Sequence, residues 1–301
     1  MSAFASQRAG AATIGRICLS LGFALMSPSC RSGSAEAAPD CSIVRRHSSD
    51  DAKSVRLHMV RTGGDVAAFA AAAAVPQERS GAFSHLKAVV GMERASALLG
   101  GCFVVASHSG TVELPGRCIG WRFFGEDSGF IGSTNVESDD ETVVCLYPKA
   151  IAVVLAEDSA GVRIPGVPVV LEENFGKIGV DICQGVTDSH GVVRLEFPWR
   201  DEFRRLSVRC ALIPSIHNEL DLRNVTDPIE SVLVLTEYGV LRLADGDPKH
   251  GMGLVRIVPI IFDSFECGHR WGESFILAGP SGNQEASVVI GNNMRYFVEW
   301  W

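Results

Sequence analysis

Two histidines stand beside groups with which they could do chemistry. His217 opens "HNE", which ends at Glu219, and His269 lies in "ECGHRWGE", near Cys267 and Glu273. The first offers the imidazole and carboxylate of a metallopeptidase, which also needs a further ligand and a base. The second offers a thiol and an imidazole, the pair used in nucleophilic catalysis. Neither is completed locally. HExxH and HxxE are absent, and nothing near His269 identifies a third member. A surface turn accounts for His217 and a structural or surface role for His269. "GPSGN" around Ser281 is not the G-x-S-x-G of a nucleophile elbow, and neither a P-loop nor GxGxxG occurs.

Binding is the better-supplied chemistry. "ESDDE", Glu137 to Glu141, and "ADGDPKHG", Ala244 to Gly251, offer hard oxygen ligands to Ca²⁺, although neither has EF-hand spacing and solvated turns are the simpler reading. Aromatic residues cluster twice, as Trp121, Phe123 and Phe124 and as Tyr296, Phe297, Trp300 and Trp301. Exposed on one sheet face, such rings stack on sugars; buried, they fill a core. Trp121, Phe123, Trp300 and Trp301 are therefore the candidate ligand-binding residues. No residue is assigned to catalysis, to a cofactor or to a metal.

The chain has 301 residues, 47% hydrophobic and 21% charged, which suits a folded protein with real cores rather than a disordered one. Its net charge of -8 and the absence of a basic cluster beyond Arg45–Arg46 and Arg204–Arg205 argue against a nucleic-acid partner. Near the start, Arg8 and Arg16 precede the apolar run "ICLSLGFALM", Ile17 to Met26, followed by small residues. That run is too short to span a bilayer and the right size for a signal-peptide core. Cleavage after "AEA", Ala35 to Ala37, competes with lipidation at Cys30, where the preceding Ser27-Pro28-Ser29 fits a lipoprotein box poorly. No later segment reaches the length of a transmembrane helix; the Ala-rich "VAAFAAAAAV", Val66 to Val75, is the longest apolar candidate. Beyond the leader the cysteines are scattered singly, with no CxxC, so disulfides or small buried thiols are expected rather than a zinc knuckle.

Strands must position these groups. "TDSHGVVRLEFP", Thr187 to Pro198, is a tight turn followed by period-two alternation, with Val193, Leu195 and Phe197 on one face. "SHSGTVELPG" from Ser107 and "GPSGNQEASVVI" from Gly279 carry the same punctuation, with turn glycines 110, 191 and 282. A second signal, an acidic residue, an apolar strand, a break and another apolar strand, starts at Glu141 and again at Glu230, 89 positions on. Together they predict units of 80 to 90 residues holding about seven short strands each, joined near Pro148 and Thr236 by linkers too short to be flexible, as in a semi-rigid rod. "SHLKAVVGMERASALL", Ser84 to Leu99, predicts a short helix in the first unit with Ser84 as its cap. The last unit lacks one closing strand by analogy with the middle one. Either another segment fills that edge, or the edge is exposed, or the product is truncated.

The middle unit resembles the carboxypeptidase regulatory-like domain, a transthyretin-like β-sandwich common in exported bacterial proteins. "EDSAGVRIPGVPVVLEE", Glu157 to Glu173, and "GVTDSHGVVRLEFP", Gly185 to Pro198, carry the resemblance. It implies a sandwich fold and a non-catalytic spacer or binding platform, and it supplies no catalytic residues. The expectation is an all-β chain of tandem sandwich modules: leader 1–37, a divergent module 38–148 with the helix, the regulatory-like module 149–236 and a third module 237–301. Such a chain would be an exported or cell-envelope spacer, scaffold or binding module, with an envelope protein or glycan as partner. A surface carbohydrate- or protein-binding adhesin, and an accessory chain of a hydrolase or an unrecognised enzyme, are the alternatives.

Overall fold

Turns of one design punctuate the strands. In Asp188-Ser189-His190-Gly191 the Asp188 carboxylate accepts from the N–H groups of His190 (2.8 Å) and Val192 (3.1 Å), and the Gly191 N–H donates to the Asp188 carbonyl (3.0 Å). Gly191 adopts φ 70°, and a Cβ there would lie 2.9 Å from the Ile164 nitrogen, so both backbone and space ask for glycine. Asp158-Ser159-Ala160-Gly161 repeats the arrangement, with Asp158 accepting from Ala160 (2.8 Å) and Val162 (2.9 Å). In Ser107-His108-Ser109-Gly110 the Ser107 hydroxyl takes the carboxylate's place and accepts from the Thr111 N–H (3.1 Å). A turn closed by its own side chain and ended by a left-handed glycine forms without distant partners.

The computed structural model describes residues 54–137, 141–175, 178–203, 205–220, 222, 228–244, 253–263, 268–271, 274–278 and 285–300. The leader with Cys30, most of both acidic turns, the turn at Gly282, Cys267, Glu273 and Trp301 lie outside the described residues. What is described is an all-β protein of sandwich-like modules with short helices.

β1 (Ser54–Arg61), β2 (Ala71–Val75), β3 (Cys102–Val105), β4 (Thr111–Pro115), β5 (Arg122–Asp127), β6 (Phe130–Asn135) and the leading half of β7 (Glu141–Asp158) form a sheet in the order β3-β2-β5-β6-β7-β1-β4. It encloses Leu57, Met59, Ala72, Ala74, Phe123 and Leu146. The Ala-rich run thus ends in strand β2, where small side chains let neighbouring layers approach. The predicted helix is two, α1 (Phe83–Val90) and α2 (Met92–Leu98), preceded by a 3-10 turn over Gln77–Ala82. Gly91, at φ 83° and ψ 163°, breaks them apart. Ala82, not Ser84, is the N-cap, so Ser84 already lies within the first turn and caps nothing.

The trailing half of β7 lies between β10 (Val192–Pro198), antiparallel, and β13 (Ile229–Leu235), parallel. Facing it is a second sheet, β12-β11-β8-β9, built from β8 (Pro168–Phe175), β9 (Ile178–Val186), β11 (Leu206–Cys210) and β12 (Ile213–Glu219). Val193, Leu195 and Phe197 point into the core between them, against Val169, Leu171 and Val208, as the alternation predicts.

The last group pairs β14 (Gly239–Ala244) with β18 (Glu285–Ile290), and sets β15 (Leu254–Asp263) against β16 (Gly268–Trp271), β17 (Phe275–Ala278) and β19 (Arg295–Trp300). Its described apolar residues pack on one another and also on the earlier groups. Val255, Ile257 and Phe275 pack with Val170, Ala211 and Leu212, and Leu254 and Ile276 pack with Phe83 and Leu86 of α1. The expectation of units meeting only their chain neighbours, as in a rod, is therefore corrected. The apolar face of α1 needs cover, and the last strands provide it. Gly166 marks one contact: at φ 74° its carbonyl accepts from the Val289 N–H (2.8 Å), and a Cβ there would lie 2.6 Å from the Ser287 carbonyl oxygen.

Candidate functional site

One strand connects the first two cores without a loop. β7 is 18 residues long; its leading half pairs with β1 and β6 and its trailing half with β10 and β13. Pro148, near its middle, has no N–H to contribute, so a ladder bond is missing there. Neighbouring groups take over. The Trp199 N–H donates to the Pro148 carbonyl (2.7 Å), and the Lys149 N–H donates to the Gly129 carbonyl (2.8 Å).

Beside this point four charged side chains close a ring. Lys149 Nζ lies 2.6 Å from Glu126 Oε1 and 3.2 Å from Glu196 Oε2. Lys87 Nζ, from α1, lies 2.7 Å from Glu126 Oε2 and 3.3 Å from the same Glu196 oxygen. Helix α1, β5, β7 and β10 are thereby tied at one place, and each cation touches both anions. Burial alone would raise Glu126, but the hydrogen bonds and charges of Lys149 and Lys87 hold it below the usual glutamate range. Burial would lower Lys149, but Glu126 and Glu196 raise it. Both shifts favour the charged forms of Glu126 and Lys149, so this pair acts as a clamp, where a general acid or base would be tuned towards pH 7.

The ring borders a cavity of about 640 Å³ between α1 and strands β5, β6, β9 and β10. Phe83, stacked on Phe124 at 4.2 Å between ring centroids, walls it with Met92 and Ile182; His85 and Gln184 bring polar groups. Burial pushes the His85 imidazole down to about 4, and its ring sits 6.5 Å from that of Phe275. The unfolded chain binds a proton here near the ordinary value of 6.5, the folded chain only near 4. Stability is therefore full above pH 6.5 and falls as the pH drops towards 4, by up to about 3 kcal/mol. Urea unfolding across that range should show this loss, and His85→Gln should flatten it; an unchanged slope in the variant would assign the loss elsewhere.

The aromatic candidates divide. Phe123 is fully buried in the first core, which removes it from any stacking platform. Its strand alternates, and position 123 faces inward. Trp121 is half-buried against that same core. Trp300 is 45% exposed on β19. Phe297 is also exposed, but three positions along a strand place it on the opposite sheet face from Trp300, so the two do not share a platform. His217 is exposed on β12 and outside the cavity; His269 lies in β16. Among the described residues no three His, Cys, Asp or Glu side chains gather as metal ligands.

Sequence reasoning missed the ring, because its members are spread from position 87 to 196 with no local signature. It also missed a hydroxyl string, Ser107, Ser109 and Thr111, that ends on His58 Nδ1 (3.2 Å from Thr111 Oγ1). The carboxylate nearby, Glu113, accepts from Arg56 (3.0 Å). The recurrence of Ser-x-Ser-x-Thr at period two was the available signal.

No family model matches the chain. No curated protein matches it. Among solved structures it is similar to the Bacillus anthracis TIE protein (13% identity, TM-score 0.25), covering 82% of this chain and 45% of that one, so it spans less than half of that structure's length. A Streptococcal ancillary pilin matches at 7% identity and TM-score 0.28, over 82% of this chain and 90% of that one. The shaft pilin SpaA from Lactobacillus rhamnosus GG matches at 8% identity and TM-score 0.25, over 60% and 96%. TM-scores of this size carry no argument about function. Among the described residues no helix is long and apolar enough to cross a membrane.

Proposed function

We propose that this chain is a non-catalytic structural protein of the exported, cell-envelope kind, whose sandwich modules serve as a spacer or scaffold. The observation that carries the reading is β7, a single strand entering two cores, clamped where it passes from one to the other. A joint made this way holds two modules at a fixed angle and passes tension along one backbone, which is what a spacer needs and an enzyme does not. Module boundaries at 148 and 236 accord with it, as does a regulatory-like assignment for 149–236, where two sheets face each other and the Asp188–Gly191 turn and Gly166 occupy the positions that carry the resemblance. An envelope protein or glycan is the partner class that suits such a role.

The cavity beside α1 favours the binding-module form of this reading, since it joins apolar walls to a few polar groups. Hydrogen exchange on the full chain tests the spacer. Amides 149–151 should exchange as slowly as those of the core strands; if they open while both cores stay protected, the joint is a hinge and the reading fails. Fractionation of the native host tests the setting, because a cytosolic chain with an intact leader would overturn it.

A further inference from the structure

The first sheet is an open path whose two ends are β3 and β4, each paired on one side among the described strands. They are consecutive in the chain, joined by the turn Ser107–Gly110, yet they run to opposite ends of the path. The sheet therefore curls, and a seam without ladder bonds remains between its first and last strands. The turn closes one end of that seam. At the other end stand two sulfurs: Cys102, the first residue of β3, and Cys118, three residues beyond the end of β4 in a 3-10 turn, with Sγ atoms 3.6 Å apart. Cys118 is fully buried in the first core, and Cys102 is half-buried at its edge.

We infer that Cys102 and Cys118 are a dithiol that closes to a disulfide, a covalent staple across the seam of the first sheet. The oxidant is a disulfide compound of the glutathione class. The Cys102 thiolate attacks one sulfur of that compound, forming a mixed disulfide and releasing one thiolate. Cys118 gives up its proton to solvent and attacks the Cys102 sulfur, forming the Cys102–Cys118 bond and releasing the second thiolate. Two protein thiols are oxidised and one external disulfide is reduced. The order of attack follows from the environment. Hydrogen bonding from Cys118 lowers the Cys102 thiol to about 7 despite burial, helped by the Ala74 backbone and the Arg117 charge, while Cys118 is raised by the same bond and by burial. The other described cysteines are singly placed: Cys145 is exposed on β7, and Cys183 and Cys210 are buried in the second core.

Tryptic mapping tests the inference directly, because Arg94, Arg117 and Arg122 separate the two cysteines into peptides 95–117 and 118–122. The full chain, reduced and then equilibrated with oxidised glutathione, should yield these two peptides joined. Recovery of both as alkylated thiols or as glutathione adducts would overturn the inference. The bond should also raise the folding constant about a hundredfold, the effect of closing a loop of this length. Reduction should remove that gain in the parent chain and have no effect on Cys102→Ala; equal sensitivity in the variant would mean that another pair is responsible.

Discussion

Phe197→Ala should lower the unfolding free energy by about 3–5 kcal/mol, the cost of emptying a large, fully buried aromatic site. Phe197 lies opposite Ala150 of β7, next to the clamp at Lys149. Its ring meets Trp199 at 6.3 Å and Phe203 at 6.2 Å, and those two meet each other at 6.0 Å, so three rings brace the strand end where Pro198 stops it. Removing the Phe197 ring leaves Trp199 with Phe203 alone as an edge-on neighbour. Urea unfolding followed through tryptophan emission should show the midpoint fall with little change in slope, and Phe197→Leu should lose less because it fills most of the volume. A loss below 1 kcal/mol for the alanine variant would mean that the second core does not depend on this bracing.

Lys149→Glu should cost about 2–4 kcal/mol. Lys149 is the cation that contacts both Glu126 and Glu196 from the strand shared by the cores. Reversing it places three carboxylates around Lys87 and leaves the half-buried Glu126 with one partner. Because the ring ties α1 and β5 to β7 and β10, the damage should appear as lost coupling as well as lost stability. The parent chain should unfold the first two cores together, and the variant should separate them into two transitions. Because each cation touches both anions, alternation returns only when all four charges are reversed, and the fourfold exchange Lys149→Glu, Glu126→Lys, Lys87→Glu and Glu196→Lys should recover most of the loss. Failure of that rescue would make the ring a surface feature and weaken the spacer reading.

Much of the local structure was legible in residue order, for a physical reason. The turns at Asp158, Asp188 and Ser107 are closed by their own side chains and by a glycine at positive φ, so every interaction that forms them lies within five residues. Alternation placed Val193, Leu195 and Phe197 on the buried face because a strand turns successive side chains to opposite sides. The helical segment was visible too, although Gly91 divides it and Ala82 begins it, a boundary that depends on packing against Leu254 and Ile276.

What residue order left open was settled by pairings between distant segments. Composition could not separate Phe123, sealed in a core, from Trp300, open to solvent, because both stand in short aromatic-rich strands and only the facing layer distinguishes them. The four charges at positions 87, 126, 149 and 196 belong to four elements, and only the passage of β7 through both cores brings them within hydrogen-bonding distance. Cys102 and Cys118 read as two single cysteines until the fold brings the start of β3 beside the turn that follows β4. The sequence by itself determined the turns, the strand faces and the all-β class, since those arise from neighbours along the chain. The tertiary structure alone decided the joint, the cavity and the sulfur contact, since each requires the closure of long loops, and its energy appears only once the partners are in place.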